Sequence, residues 1–337
     1  MEVQNEINDT TYLDKIRAGE VTFVEVFCRR SFEKVNALNL VQAINATHTM
    51  TALTLDAKSQ EPGALAIIVE GLARCPKLNH LYLRIKGKNV LAENDVDSLS
   101  QYIYNCTSLK SLDLSGMCLL PNQQLRIIQA CTASRSLEEI LLSGWKIAAN
   151  VVPALGQLFE LSSTLKSLCL HSNGLKSTEL NVLLRCIERN ENSVLEDLVL
   201  SSNPIGYSGL EALATGIRSN KLKLKNLALG HAGLDESCAD LLFQIIHGNR
   251  HLESLSCGAN QLGIRSLIKI AEAVTDNNTL VELDLHANPF LGSQRVAAVI
   301  DSSQVSQSSS QTLMAIDKKL KANKQNKIER QESLQPK

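Results

Sequence analysis

From Leu195 to Ile217 the chain reads LEDLVLSSNPIGYSGLEALATGI, and its apolar positions change spacing halfway. Leu198 and Leu200 alternate, which puts them on one face of a short strand; Gly209, Leu213 and Ile217 recur every fourth residue and share one face of a helix. Asn203 marks the turn between them. A strand and a helix with one apolar face each cannot enclose a core alone. The unit needs neighbours of its own kind.

Such neighbours run along most of the chain. With the first apolar residue of the pattern as anchor, the phasing falls at Val21, Met50, Leu78, Leu109, Leu137, Leu165, Leu195, Leu224, Leu252 and Leu280, with gaps of 29, 28, 31, 28, 28, 30, 29, 28 and 28 residues. The clearest copies are LKSLCLHSNGL from Leu165, LEDLVLSSNPI from Leu195, LESLSCGANQL from Leu252 and LVELDLHANPF from Leu280. Each sets Asn173, Asn203, Asn260 or Asn288 at the turn leaving the strand, where an amide satisfies free backbone groups and stacked copies form a ladder. Met117, Trp145 and Ala232 interrupt that ladder, so their turns must be satisfied otherwise. Period-3.6 stripes predict helices over Ala64–Leu72, Val96–Cys106, Gln123–Cys131, Val151–Phe159, Glu179–Ile187, Gly209–Ile217, Cys238–Ile246 and Ser266–Val274.

These residues resemble the leucine-rich repeat, and the period of 28 to 29 with a helical second half is similar to its ribonuclease-inhibitor-like subclass. The resemblance covers about Val21 to Ser302. It implies an α/β solenoid of horseshoe form, about ten repeats of 28–31 residues, with parallel strands on the concave face and helices on the convex face. Three regions follow: residues 1–49 as a degenerate N-terminal capping region, 50–302 as the repeat array, and 303–337 as a polar, basic C-terminal tail. In the first, Val21, Val24 and Val26 imitate the strand, and Val35, Leu38, Leu40 and Ile44 supply helical apolar positions; no helical pattern precedes Glu20, which argues against an F-box there. The Leu78 repeat carries three extra residues within KGKNVLAEND, expected in a loop at one edge. After Ser302, SSQVSQSSSQ is of low complexity, and Leu313, Ile316 and Leu320 can line one face of a short helix. A solvated tail, a docking helix, a contact with an anionic surface and an export signal all fit that segment.

Composition narrows the class. Apolar content is 44% with only 4% aromatic, as expected of many stacked layers of small aliphatic residues, and the net charge of −1 gives no general argument for nucleic acid. The start, MEVQNEINDTT, lacks the basic and apolar regions of a signal peptide, and no segment reaches the roughly 20 apolar residues that span a bilayer, so a cytoplasmic type of protein is expected. Nine cysteines occur without a C-x-x-C pair, which fits free thiols packed in a reducing compartment.

No P-loop, dinucleotide fingerprint, zinc pattern or nucleophile elbow is present. Chemistry would therefore have to come from the concave strand face, where the phasing projects His80, Tyr82, Arg84, Asp113, Glu139, His171, Asp197, His231, Glu282, Asp284 and His286 among small residues such as Ser111, Ser143, Ser167 and Cys169. Equivalent residues two strands apart lie about 10 Å from each other, too far for His171 and His231 to share a metal. No catalytic, cofactor or metal site is expected. A face with Tyr and Arg anchors suits a protein partner bound by a monomer. The array is similar to the eukaryotic-looking repeat effectors that intracellular bacteria deliver into host cells, and the polar tail looks like a specialised-secretion signal. The alternative is a GTPase-activating protein similar to the Ran GTPase activators. Those usually end in an acidic tail, whereas this tail is basic, and no catalytic Arg or Asn can be matched here.

Overall fold

The shift from period two to period 3.6 in each repeat becomes a strand followed by a helix in the computed structural model, which describes residues 10–46, 49–291 and 307–333. Two units result, Met1–Cys169 with Asn190–Val194 and Leu170–Arg189 with Leu195–Lys337.

The first unit runs α1 (Thr10–Arg17), β1 (Phe23–Phe32), α2 (Lys34–Asn45), β2 (Ala52–Gln60), α3 (Ala64–Leu72), β3 (His80–Ile85), α4 (Glu93–Asn105), β4 (Ser111–Asp113), α5 (Pro121–Ala133), β5 (Glu139–Leu141), α6 (Val152–Leu161) and β6 (Ser167–Cys169). Each strand pairs in parallel with the next in sequence. The register stacks Leu81, Leu112, Ile140 and Leu168 in one column, and all four are fully buried beneath the helices. Parallel pairing with helical returns is what leucines at fixed phase require, because each strand must show the same face to the core.

The second unit runs α7 (Ser177–Arg189), β7 (Asp197–Val199), α8 (Gly206–Arg218), β8 (Asn226–Ala228), α9 (Ala239–Ile246), β9 (Ser254–Ser256), α10 (Ile264–Asp276), β10 (Glu282–Asp284) and α11 (Gln307–Ser333). Its column is Leu198, Leu227, Leu255 and Leu283, again in parallel register. Gly209 packs so closely that a Cβ there would lie 2.7 Å from the Ile205 side chain. That glycine is a packing residue of α8. The architecture is the α/β leucine-rich-repeat arrangement, strands on one side and helices on the other.

Asn203 and Asn260 do the turn work that the sequence predicts. Asn203 Oδ1 accepts from the backbone N–H groups of Asn173 and Leu175 at 3.0 Å, while its Nδ2 donates to the carbonyls of Leu170 and Leu200 at 2.8 Å. Asn260 repeats this: its Oδ1 accepts from Ala232 N and Leu234 N, and its Nδ2 donates to Leu229 O and Cys257 O, so the Ala232 turn is served from the following repeat. In the first unit Trp145 does part of this work by different chemistry: its Nε1 donates to Leu114 O at 2.7 Å, the carbonyl of the preceding repeat that an Asn would reach. The residue before each turn position is left-handed, with φ of 80° at Gly116, 75° at Gly144, 57° at Ser172, 59° at Ser202, 52° at His231, 54° at Ala259 and 52° at Ala287.

The N-terminal region departs from expectation. Helix α1 precedes Glu20 and buries Leu13 and Ile16. Eight residues with two inward apolar positions are too few to show a period, so the helix was illegible. On α2 the stripe is Ala37, Leu40, Ala43 and Ile44, while Val35 and Leu38 face outward. Part of the Leu78 insertion also proves helical. Residues 86–92 form the loop, α4 begins at Glu93, and Asp95 turns back fully buried to cap α3, its carboxylate accepting from Gly63 N at 2.9 Å, Ala66 N at 2.8 Å and Gln60 Nε2 at 3.0 Å. A carboxylate at a helix N-terminus satisfies free donors and meets the positive end of the dipole.

Candidate functional site

On β3 the side chains alternate, with Leu81, Leu83 and Ile85 in the core and His80, Tyr82 and Arg84 on the open strand face of the first unit. Register sets His80 opposite Ser111 and Tyr82 opposite Asp113. Tyr82 Oη lies 3.2 Å from Ser111 Oγ and 3.4 Å from His80 Nδ1, and the Ser111 hydroxyl donates to Glu139. Because a serine has one proton, its bond to the carboxylate leaves the phenol as donor toward Ser111. Four residues from three strands thus form one hydrogen-bonded chain.

Beside it, Arg84 reaches across to β4. Its Nε donates to Asp113 Oδ2 at 2.5 Å, and its guanidinium carbon stands 5.8 Å from the Tyr82 ring centroid. The hydrogen bond that Arg84 donates to Asp113 raises the guanidinium pKa above its ordinary value. Asp113, projected from sequence as an outward residue, is therefore covered; it is 1% exposed, and Ser115 N occupies its other oxygen at 2.9 Å. What the face offers is Arg84, held in place by a buried carboxylate, and Tyr82, held by Ser111 and His80. Further along, the outward positions are Ser111 on β4, Glu139 and Leu141 on β5, and Ser167 and Cys169 on β6, with Ser143 Oγ 3.2 Å from Cys169 Sγ.

The strand face of the second unit carries the remaining predicted residues. Asp197 accepts from the Asn226 amide, and Glu282 accepts from Ser254 Oγ at 3.2 Å. Asp284 is bonded to His286 Nδ1 at 2.5 Å and to its backbone N–H at 3.1 Å, with Ser256 Oγ at 2.9 Å on the other oxygen. Burial opposes ionisation of Asp284, yet the hydrogen bonds from His286 and Ser256 outweigh it and hold the carboxyl below its ordinary pKa. The His286 ring lies over Gly258, where a Cβ would collide with it. His171 and His231 are exposed and stand outside this cluster. The structure thus gathers His80, Tyr82, Arg84, Asp113 and Glu139 in one unit and Glu282, Asp284 and His286 in the other.

Sequence reasoning missed a charge pattern one residue after the anchors. In the first unit Glu138 lies 3.1 Å from Lys110 and 2.6 Å from Lys166; hydrogen bonds from Lys166 and then Lys110 hold its pKa down. In the second, Lys225 pairs with Glu196 at 2.8 Å and Lys327 with Glu253 at 2.5 Å. The signal was available in the phasing, as Lys110, Glu138, Lys166, Glu196, Lys225 and Glu253 alternate in sign. A groove of about 510 Å³ in the first unit is lined by Lys77, Lys110, Arg135, Glu138 and Lys166.

Among the described residues, no cluster of three or more His, Cys, Asp or Glu is arranged to hold a metal ion, and no helix is long and apolar enough to cross a membrane. All nine cysteines are free thiols. Burial pushes Cys75 up to about 11 and Cys131 up to about 12, which keeps both protonated and poorly nucleophilic.

Comparison with known proteins agrees with the repeat. The family model described as Leucine Rich repeat matches residues 191–214. NACHT, LRR and PYD domains-containing protein 5 of Bos taurus is 28% identical over 247 residues, 69% of this chain and 22% of the relative. NACHT, LRR and PYD domains-containing protein 1a allele 1 of Rattus norvegicus is 31% identical over 93 residues, 27% of this chain and 8% of the relative. The chain thus spans about a fifth or less of the length of these relatives. Among solved structures, the Rad7 and Elc1 complex in yeast aligns with 83% of this chain and 76% of its own, at 13% identity and a TM-score of 0.48.

Proposed function

Because the chain is a leucine-rich-repeat protein, we propose that it works as a non-enzymatic protein-binding module and that the first unit's strand face holds the partner around His80, Tyr82 and Arg84. One observation carries the placement: Arg84 and Tyr82 stand fixed on β3 by Asp113, Ser111 and Glu139, on a face that continues through Leu141 to Ser167 and Cys169. Tyr and Arg dominate binding energy where their conformations are set before contact, since the ordering cost is then already met. A partner segment laid along this face would pack against the ring, the guanidinium and the half-buried Leu141. Binding by a single copy, without cofactor, metal or nucleic acid, is the form this takes. The free thiols suit a reducing compartment such as the cytoplasm.

The test is capture from lysate with cross-linking, comparing the wild type with Tyr82→Ala and with the paired variant Arg84→Ala, Asp113→Asn. Loss of the captured protein in both, at unchanged thermal unfolding, supports the placement; retention in both moves the site elsewhere. Delivery into a host cell is a separate proposal, supported by the polar, basic composition of residues 303–337. Deleting those residues and assaying translocation decides it, unchanged delivery being the adverse result. GTPase activation remains the alternative activity, and unaltered GTP hydrolysis by candidate small GTPases removes it.

A further inference from the structure

A repeat array has an end, and the last repeat must satisfy there what a following repeat would otherwise satisfy. Two backbone carbonyls show what is needed. The first lies three residues before the anchor leucine, and the next repeat donates to it: Asn190 Nδ2 to Ser162 O at 2.6 Å, and Asn277 Nδ2 to Asn249 O at 3.2 Å. The second is the carbonyl of the anchor itself, reached by Ser108 Oγ on Leu78 O at 2.7 Å and by Thr164 Oγ1 on Leu137 O at 2.7 Å. In the last repeat these carbonyls belong to Asn277 and Leu280. A single side chain takes both: Asn323 Nδ2, on α11, donates to Asn277 O at 3.1 Å and to Leu280 O at 2.8 Å, and Asn323 is 2% exposed.

The charge pattern ends in the same way. Glu253 calls for a cation from the following repeat, where the equivalent residue is Val281. Lys327, one helical turn beyond Asn323, supplies it at 2.5 Å. Leu313 and Ile316 bury the apolar start of the same stripe as α11 packs on α10, and Lys319 Nζ donates to Asn278 Oδ1 at 3.0 Å. The outward side of the helix is mainly polar, with Lys318, Lys321 and Lys324 exposed beside Met314.

From these matched positions we infer that α11 is the C-terminal cap of the array, a single helix standing in for the hydrogen bonds and the charge of an eleventh repeat. The basic composition of the segment then has a folding role: Lys327 closes the charge pattern, Lys319 ties the helix to Asn278, and Lys318, Lys321 and Lys324 keep the outer face wet. The cap also fixes the last strand, β10, and with it Glu282, Asp284 and His286. This inference does not depend on where a partner binds.

Hydrogen exchange of the full chain tests it. Asn323→Ala strips two buried carbonyls of their donor, and the amides of α10 and β10 should exchange about tenfold faster, while those of β4 and α5 keep their wild-type rates. Lys327→Glu should act in the same direction and Lys327→Arg should not. A chain ending at residue 306 should lose protection in α10 and β10 more completely; if it does not fold, the two point variants decide. Wild-type exchange of α10 and β10 in both Asn323→Ala and Lys327→Glu would overturn the inference.

Discussion

Arg84 lies over Asp113 as a lid: Nε meets Oδ2 at 2.5 Å, leaving 42% of the arginine side chain exposed and 2% of the aspartate. The two residues therefore answer differently to mutation. Removing the arginine strands a buried carboxylate, whereas removing both charges strands nothing.

Arg84→Ala is accordingly expected to lower stability by about 2 kcal/mol, less than for a wholly buried pair because the arginine is partly solvated. Adding Asp113→Asn should restore most of the loss, since an amide oxygen still accepts from Ser115 N. Urea unfolding of the two variants checks this. Equal midpoints would show that the pair contributes little.

Asp95 makes a second stability prediction. Its carboxylate serves three donors while fully buried, so Asp95→Ala leaves Gly63 N and Ala66 N without an acceptor at the start of α3. A loss of about 2 kcal/mol is expected, again by urea unfolding, with Asp95→Asn intermediate.

The left-handed residue before each turn allows a gain. Ala259 has φ of 54°, a conformation that costs an L residue about 1 kcal/mol and costs glycine nothing sterically. Ala259→Gly should leave stability unchanged or raise it by a few tenths of a kcal/mol, and Ala259→Val should lower it by more than 1 kcal/mol. Melting temperatures of the two variants should move in opposite directions or differ clearly in size.

Acid should weaken the second unit through Asp284. Its folded pKa is depressed, so it contributes stability that is present above the unfolded value near 3.8 and is lost as pH falls through the lower folded value. His286→Ala removes the imidazole bond, and the Asp284 carboxyl should then titrate at higher pH. Carbon-detected NMR titration of that carboxyl reads the shift directly; an unmoved midpoint would assign the depression to the backbone N–H of residue 286 and to Ser256.

The repeat was legible because it is redundant. Leu198, Leu227 and Leu255 mean little singly, but at constant phase they fix strand, face and register together. Asn203 and Asn260 were legible for the same reason. Trp145 was seen as a gap, since nothing in a tryptophan's sequence position says that its Nε1 will reach Leu114 O. The candidate face was half legible. Phase alone placed Tyr82 and Arg84 outward, but the cover over Asp113 depends on the side-chain path of Arg84 between two strands. Elements that occur once were harder: α1, with only Leu13 and Ile16 inward, stayed hidden, and α11 was legible only as a short helix through Leu313 and Ile316, because its inward side continues through the polar Asn323 and Lys327.

The thiols lead to a practical end. Cys75 and Cys131 lie buried in the first unit, Cys238 and Cys257 in the second, all four protonated by burial and shielded from solvent. Each becomes reactive only when the layer around it opens. Timed alkylation read out by peptide mass would therefore follow the loosening of each unit separately, with probes that the native chain already contains.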